Sequence, residues 1–225
     1  MFAVCINYCK FAMIRSLTSQ EIKWRLLLIL HLVGLVGLSF SPSRPFFAQL
    51  SFFNLFITAA LIFHEVWLSS RHPWRVLIWL FSLGMAVEIL GVQTGFPFGE
   101  YSYGTVLGPR LAGVSVIIGL NWFYLVVSSV ALLRWLGVVN IWLTVVMASL
   151  ILTAVDFLIE PVAINLYYWQ WEAVSVPLSN YIAWFVVSLP LVYLYQRFTP
   201  HPPVLFPAKV LLLQVVFFSV LQFFL

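Results

Sequence analysis

The sequence predicts an all-α fold: a polytopic integral membrane bundle of seven transmembrane helices, with the N-terminus inside and the C-terminus outside. Three observations carry that expectation. Hydrophobic residues make up 63% of the 225 residues and charged residues only 8%, and the mean hydropathy is +1.05. Water-soluble domains run near about 25% charged, and no soluble fold hides this much apolar surface. Seven apolar stretches are each long enough, or nearly so, to cross a bilayer core as helix, which takes about 20 residues. Basic residues also gather on alternate connections. With the N-terminus inside, the inner side holds Lys10, Arg15, Lys23, Arg25, Arg71, Arg75, Arg134, Arg197 and Lys209, and the outer side only Arg44 and Arg110. That asymmetry sets the orientation. A six-helix bundle with the first stretch peripheral is the alternative.

Residues 1–23 read as a cytoplasmic tail, and residues 24–225 as a single transmembrane domain with no internal repeat. Cys5 and Cys9 are the only cysteines. No further Cys and no nearby His completes a metal set, so they read as reduced thiols without a role. The first stretch, 24–40, follows basic residues as a signal peptide would. The segment Ser41-Pro42-Ser43-Arg44-Pro45 lacks a small-x-small cleavage site, so the stretch reads as a retained helix.

The second stretch, 46–68, puts Asn54, Thr58 and Glu65 on one face. The third, 74–92, puts Gly84, Glu88 and Gly91 together, with Glu88 in a groove that a helix or ligand can approach closely. The fourth, 111–133, aligns Asn121, Tyr124 and Ser128. The fifth, 138–159, carries Ser149, Thr153, Asp156 and, just past it, Glu160 as one stripe. Proline disfavours helix at the residue before it, so Glu160-Pro161 reads as the helix end, with Glu160 in an extended turn aimed across the bundle. The sixth, 179–196, opens on Asn180 with Trp184 one turn on, and the seventh spans 204–225. The formal charge of +4 reads as basic inner loops rather than as a nucleic-acid surface.

Five of the seven acidic residues, Glu88, Glu100, Asp156, Glu160 and Glu172, fall toward the outer side. Three of them, Glu88, Asp156 and Glu160, lie in or at the end of apolar segments. An ionisable group at the bilayer centre costs on the order of 3 kcal/mol on insertion scales. Polar pairing between helices accounts for Asn54, Thr58, Ser128, Ser149 and Thr153, and a partnered or snorkelling charge accounts for Glu65. Three acids and two amides at one depth exceed what pairing needs, so the cluster reads as a site.

The segment Gly95-Phe96-Pro97-Phe98-Gly99-Glu100-Tyr101-Ser102-Tyr103-Gly104 is a second signal. Its glycines and proline forbid a continuous helix, yet it is too aromatic for an ordinary wet loop. It reads as a lid over the outer mouth of the bundle, or else as an interfacial belt. Trp169-Gln170-Trp171-Glu172 invites the same two readings, with the belt favoured.

No phosphate loop, Ser-His-Asp set or His-rich di-iron site is legible, since His31, His64, His72 and His201 are scattered. What remains is acid–base chemistry by carboxyl groups in an aromatic-lined cavity of low dielectric. A carboxylic acid facing an apolar pocket can protonate an alkene. Aromatic faces can stabilise the resulting tertiary carbocation, and a carboxylate or amide can orient the water that traps it.

The ordered set Glu88-Ile89-Leu90-Gly91-Val92-Gln93-Thr94-Gly95-Phe96-Pro97-Phe98-Gly99-Glu100-Tyr101, Leu107-Gly108-Pro109, Asn121-Trp122, Asp156 through Glu160-Pro161, Trp169-Gln170-Trp171 and Pro177-Leu178-Ser179-Asn180 with Trp184 resembles the carotenoid biosynthesis membrane-protein family that includes carotenoid 1,2-hydratases. The resemblance covers residues 50–200. Ser115 stands where the pattern has Pro, and Ala183 where it has Gly; both bear on helix packing. The resemblance implies addition of water to the terminal C1=C2 double bond of an acyclic ψ end group of γ-carotene or lycopene type, and no cofactor or metal. It also implies a multi-pass protein of a bacterial cytoplasmic or internal membrane. Carotenoid and membrane lipid are the expected partners, and other carotenoid-biosynthesis enzymes are candidates.

The resemblance brings no residue roles; the acid–base chemistry, applied to that reaction, points to Asp156 as general acid, with Glu160 and Glu88 as its tuning and proton-accepting neighbours. Asn121 and Asn180 position water. Phe96, Phe98, Glu100, Tyr101, Trp122, Tyr124 and Trp184 are the expected substrate contacts, with Tyr101 and Trp184 facing the cation. The competing readings are an end-group cyclase or isomerase, a proton-coupled transporter and a carotenoid-binding scaffold.

Overall fold

In a computed structural model, backbone is described for residues 2–225 and side chains from residue 19 onward. Cys5 and Cys9 lie outside the described side chains. The chain forms α1 (Phe2–Ser39), α2 (Arg44–Ser69), α3 (Pro73–Thr94), β1 (Tyr101–Tyr103), β2 (Arg110–Leu111), β3 (Val114–Ser115), α4 (Ile117–Trp135), α5 (Ile141–Asn165), β4 (Trp169–Trp171), α6 (Leu178–Phe198) and α7 (Leu205–Leu221). Six helices are long and apolar enough to cross a membrane, the first of them over Ser19–Ser39, while α7 is shorter at 17 residues.

Helix α4 is the axis of the bundle. It is buried on nearly every face, from Ile117 and Trp122 to Val130 and Leu133, and α2, α3, α5, α6 and α7 all pack against it. An all-round apolar sequence is what such a position demands. Helix α1 lies outside this ring, against α2 and α7, and polar contacts fix it at three heights. Lys23 Nζ meets Glu65 Oε1 at 2.6 Å, the His31 ring lies 3.0 Å from the Gln214 amide, and Arg44 donates to the carbonyls of Leu38 and Phe224. Glu65 is thus a partnered charge.

Three expectations are corrected. The fourth helix starts at Ile117 rather than near 111. Ala112 and Gly113 take positive φ angles of 50° and 90°, folding residues 110–115 into a β2–β3 hairpin with Arg110 opposite Ser115. The fifth helix does not stop at Pro161 but runs through it to Asn165. The proline removes one intrahelical bond, yet Val162 and Ala163 beyond it are fully buried, and that packing carries the helix on. Glu160 is therefore helical, one turn past Asp156 on the same buried face. Finally, Trp169-Gln170-Trp171 is not the interfacial belt favoured from the sequence, since the two long connections pair with each other and both indoles donate to Glu160. Strand β1 of the first pairs antiparallel with β4 of the second, Tyr101 opposite Trp171 and Tyr103 opposite Trp169, capping the end of the bundle that carries the acids.

Candidate active site

The acids of the cluster line one small chamber, Glu88 from α3 and Asp156 and Glu160 from one face of α5. Glu88 comes from α3 on the face shared with Gly84 and Gly91, all three buried. Its carboxyl receives three donors: the Tyr101 and Tyr103 hydroxyls on Oε2 at 2.6 and 2.8 Å, and the Trp122 indole on Oε1 at 3.0 Å. Glu160 receives the indole N–H groups of Trp169 and Trp171 on Oε2 at 3.0 and 2.9 Å. Asp156 receives the Asn180 amide at 2.7 Å, and the same nitrogen stands 3.5 Å from Glu160 Oε1. All three acids are at most 4% exposed. Every group bonded to them is a neutral donor; a hydroxyl, indole or amide satisfies a carboxyl oxygen without cancelling its charge.

Local sequence builds this arrangement. Strand alternation turns Tyr101 and Tyr103 inward and Ser102 outward, as a period of two requires. Opposite them, Trp169 and Trp171 bracket an exposed Gln170. The Tyr101 and Trp171 rings lie 5.0 Å apart. Backbone bonds from Gly104 N to Tyr168 O and from Glu172 N to Glu100 O extend the pairing at both ends. The segment before β1 is tied down again where Ser179 Oγ donates to Phe98 O at 2.7 Å. Gly91 lets it sit close, since a Cβ there would fall 2.7 Å from the Phe98 ring and 2.9 Å from the Tyr101 hydroxyl. Beneath the acids Trp122 and Trp184 stack with centroids 4.0 Å apart and planes 15° from parallel. Burial first, and then the Glu88 carboxyl beside them, pushes the Tyr101 and Tyr103 hydroxyls well above their ordinary value, so both stay protonated donors.

The chamber has a volume of about 30 Å³. That is room for about one water, and its polar walls supply the partners such a water needs. The structure brings Glu88, Asp156, Glu160, Asn121, Asn180, Phe98, Tyr101 and Trp184 to this chamber, with Trp122 bonded to Glu88 from below. It does not bring Phe96, Glu100 or Tyr124. Phe96 is 70% exposed. The Glu100 side chain points outward, in step with Ser102 on the strand. Tyr124 is buried further along α4 and does not line the chamber. Tyr103, Trp169 and Trp171 line it without having been expected. The signal that could have found them is the aromatic–polar–aromatic alternation of Tyr101-Ser102-Tyr103 and Trp169-Gln170-Trp171.

Comparison with known proteins shows the family of the chain. A profile described as carotenoid biosynthesis protein matches residues 45–225. A bisanhydrobacterioruberin hydratase of Haloarcula japonica is 36% identical over 129 residues, which cover 54% of this chain and 43% of that protein. The chain thus spans less than half the length of this relative. No solved structure matches the chain. With the profile matching well over half of its residues, the chain belongs to the carotenoid biosynthesis protein family.

Proposed function

We propose that this protein is a cofactor-independent carotenoid 1,2-hydratase, adding water across the terminal C1=C2 bond of an acyclic ψ end group of lycopene or γ-carotene type. The observation that carries the reading is the pairing of Asp156 and Glu160 through one Asn180 nitrogen, beside a water-sized chamber walled by aromatic rings. Family membership and the hydratase name of the Haloarcula japonica relative support it.

Asp156 delivers its proton to C2, leaving a tertiary cation at C1. The faces of Tyr101, Trp171 and Trp184, together with the Glu88 carboxylate, stabilise that cation. Water held by Asn121 and Asn180 attacks C1 and gives up a proton to Glu160. The water that next fills the chamber carries that proton from Glu160 back to Asp156, so one water is consumed and no net proton. The chamber seats the water rather than the end group. The ψ end therefore enters against it as residues 95–104 lift, while the polyene lies along the helices. In this reading seven helices cross a bacterial cytoplasmic or internal membrane with the N-terminus inside and residues 1–23 as a cytoplasmic tail. The carboxyl end of the bundle faces out, and neighbouring carotenoid-processing enzymes are candidate partners.

The test is pigment analysis in a lycopene-accumulating host. Wild-type protein should yield a 1-hydroxy product heavier than lycopene by one water. Asp156→Asn and Glu88→Gln variants at equal expression should not. Retention of full product by both variants sinks the assignment, and a product of unchanged mass points to cyclisation.

A further inference from the structure

A second cavity lies at the opposite end of the bundle, where α2 passes into α3. It is larger, about 420 Å³, and its lining includes Trp67, Arg71, His72, Trp74 and Arg75. The Trp67 and Trp74 rings meet edge to face at 6.1 Å, with Phe63 behind Trp74 at 4.7 Å. Both indoles are about half exposed, 51% and 54%. Half-exposed indoles at the end of an apolar helix mark the level of the headgroups.

Among the described residues, neither guanidinium group at this level has a carboxylate counter-ion within ion-pair distance. The acid nearest in the chain, Glu65, is engaged by Lys23 at 2.6 Å. Among the described residues the remaining ion pair joins Arg25 and Glu21, and no carboxylate reaches Arg71 or Arg75. Of the other cations at this end, Arg134 donates to Gln196, and Lys209 lies over the Trp24 ring. Two uncompensated guanidinium groups beside two indoles present a planar, bidentate match for phosphate oxygens next to an apolar floor. A soluble anion has no use for that floor. A phospholipid has, because its glycerol and first methylenes lie just below its phosphate.

We propose that this cavity binds the headgroup of an anionic membrane phospholipid, with Arg71 and Arg75 on the phosphate and Trp67 and Trp74 flanking the glycerol. The proposal is independent of the reaction at the acid cluster, and carotenoid conversion is not its readout. The experiment uses the full chain, delipidated in neutral detergent and titrated with phosphatidylglycerol or phosphatidylcholine, with bound lipid read by native mass spectrometry. Phosphatidylglycerol should bind about ten-fold or more tighter than phosphatidylcholine, as two cations at the headgroup level imply. Arg71→Gln/Arg75→Gln should abolish that preference. Arg25→Gln, the loss of one charge on an exposed part of α1, should leave it within two-fold. The proposal is overturned if wild-type protein shows no preference, if Arg25→Gln loses as much as the double variant, or if millimolar inorganic phosphate alone displaces the lipid. The lipid comparison and the phosphate competition use wild-type protein, so they decide the matter even if the double variant does not fold.

Discussion

The Asn180 side-chain nitrogen of α6 donates to Asp156 Oδ2 of α5 at 2.7 Å, and this amide joins two acids of the cluster because Glu160 Oε1 stands 3.5 Å from the same atom. Asn180→Leu keeps the approximate volume and removes the donor. Asp156 and Glu160 then face one another with no group between them, and the water that Asn180 positions in the proposed reaction loses that partner. Formation of 1-hydroxy carotenoid should fall by about 100-fold, the lower range for loss of a positioned proton-transfer group. Product per unit of membrane protein measures it, and a value within two-fold of wild type removes Asn180 from the reaction.

Gly84 makes room for the tryptophan that holds Glu88. A Cβ at this position would lie 2.7 Å from Trp122 Cγ, and Trp122 has no free volume to retreat into because it is fully buried and stacked on Trp184. Gly84→Ala should therefore destabilise the protein by about 1–3 kcal/mol, the usual range for overpacking, and weaken the indole bond to Glu88. Gly34→Ala is the control, since its Cβ would meet nothing closer than 3.9 Å. Thermal unfolding in detergent should separate the two, and equal midpoints would contradict the packing argument.

How much of this was legible in the sequence follows from what each feature depends on. Apolar runs and lone acids are local facts, so the helices and the presence of Glu88, Asp156 and Glu160 at one end could be read directly. Pairing of β1 with β4 joins segments more than sixty residues apart in the chain, and no local composition specifies that partner. A tryptophan in a connection looks the same whether it faces headgroups or a carboxyl group, which is why Trp169 and Trp171 read as belt residues. Pro161 carries a local stop signal, but packing of Val162 and Ala163 overrides it. Glu100 and Phe96 fell on the right segment and the wrong side of it, because the side is fixed only once the strand register is known.

The Lys23–Glu65 pair should be a strong determinant of how α1 docks. Both side chains are at least nine-tenths buried, so Lys23→Met leaves the Glu65 charge without its counter-ion and with only the Gln20 amide as donor, at 3.5 Å. A cost of about 3–5 kcal/mol is expected for breaking such a pair. Lys23→Met/Glu65→Met removes both charges and should recover most of that loss. Unfolding midpoints of the two variants check this, and a double variant no more stable than the single one would mean that the pair contributes little.

Alkaline pH should loosen the packing of β1 against α3. Burial and the neighbouring Glu88 carboxyl hold the Tyr101 and Tyr103 hydroxyls well above their ordinary value, while in the unfolded chain both titrate near about pH 10. The folded state thus binds these protons more tightly. Its advantage is complete below about pH 10 and declines as pH rises toward the folded-state values. The unfolding midpoint of wild-type protein should fall with pH in that range, and Tyr101→Phe/Tyr103→Phe should show a shallower fall. Identical slopes would mean that other groups govern the alkaline limb.

Trp169 and Trp171 donate to the same oxygen, Oε2 of Glu160, and this makes a prediction about how their losses combine. A phenylalanine in place of either tryptophan keeps a ring against the strand partner, Tyr103 or Tyr101, and removes one N–H. With one indole left, Glu160 Oε2 still has a donor, and product formation should fall only a few-fold. With both replaced, that oxygen is buried without its two donors, a loss of about 1–3 kcal/mol or more for a charged group. Glu160 should then turn toward Asn180, the remaining donor in reach. Trp169→Phe/Trp171→Phe should therefore reduce product by far more than the product of the two single effects, as coupled neighbours do. Strictly multiplicative losses would show that the indoles serve as rings alone, and that Glu160 is positioned by α5 rather than by the strand lying over it.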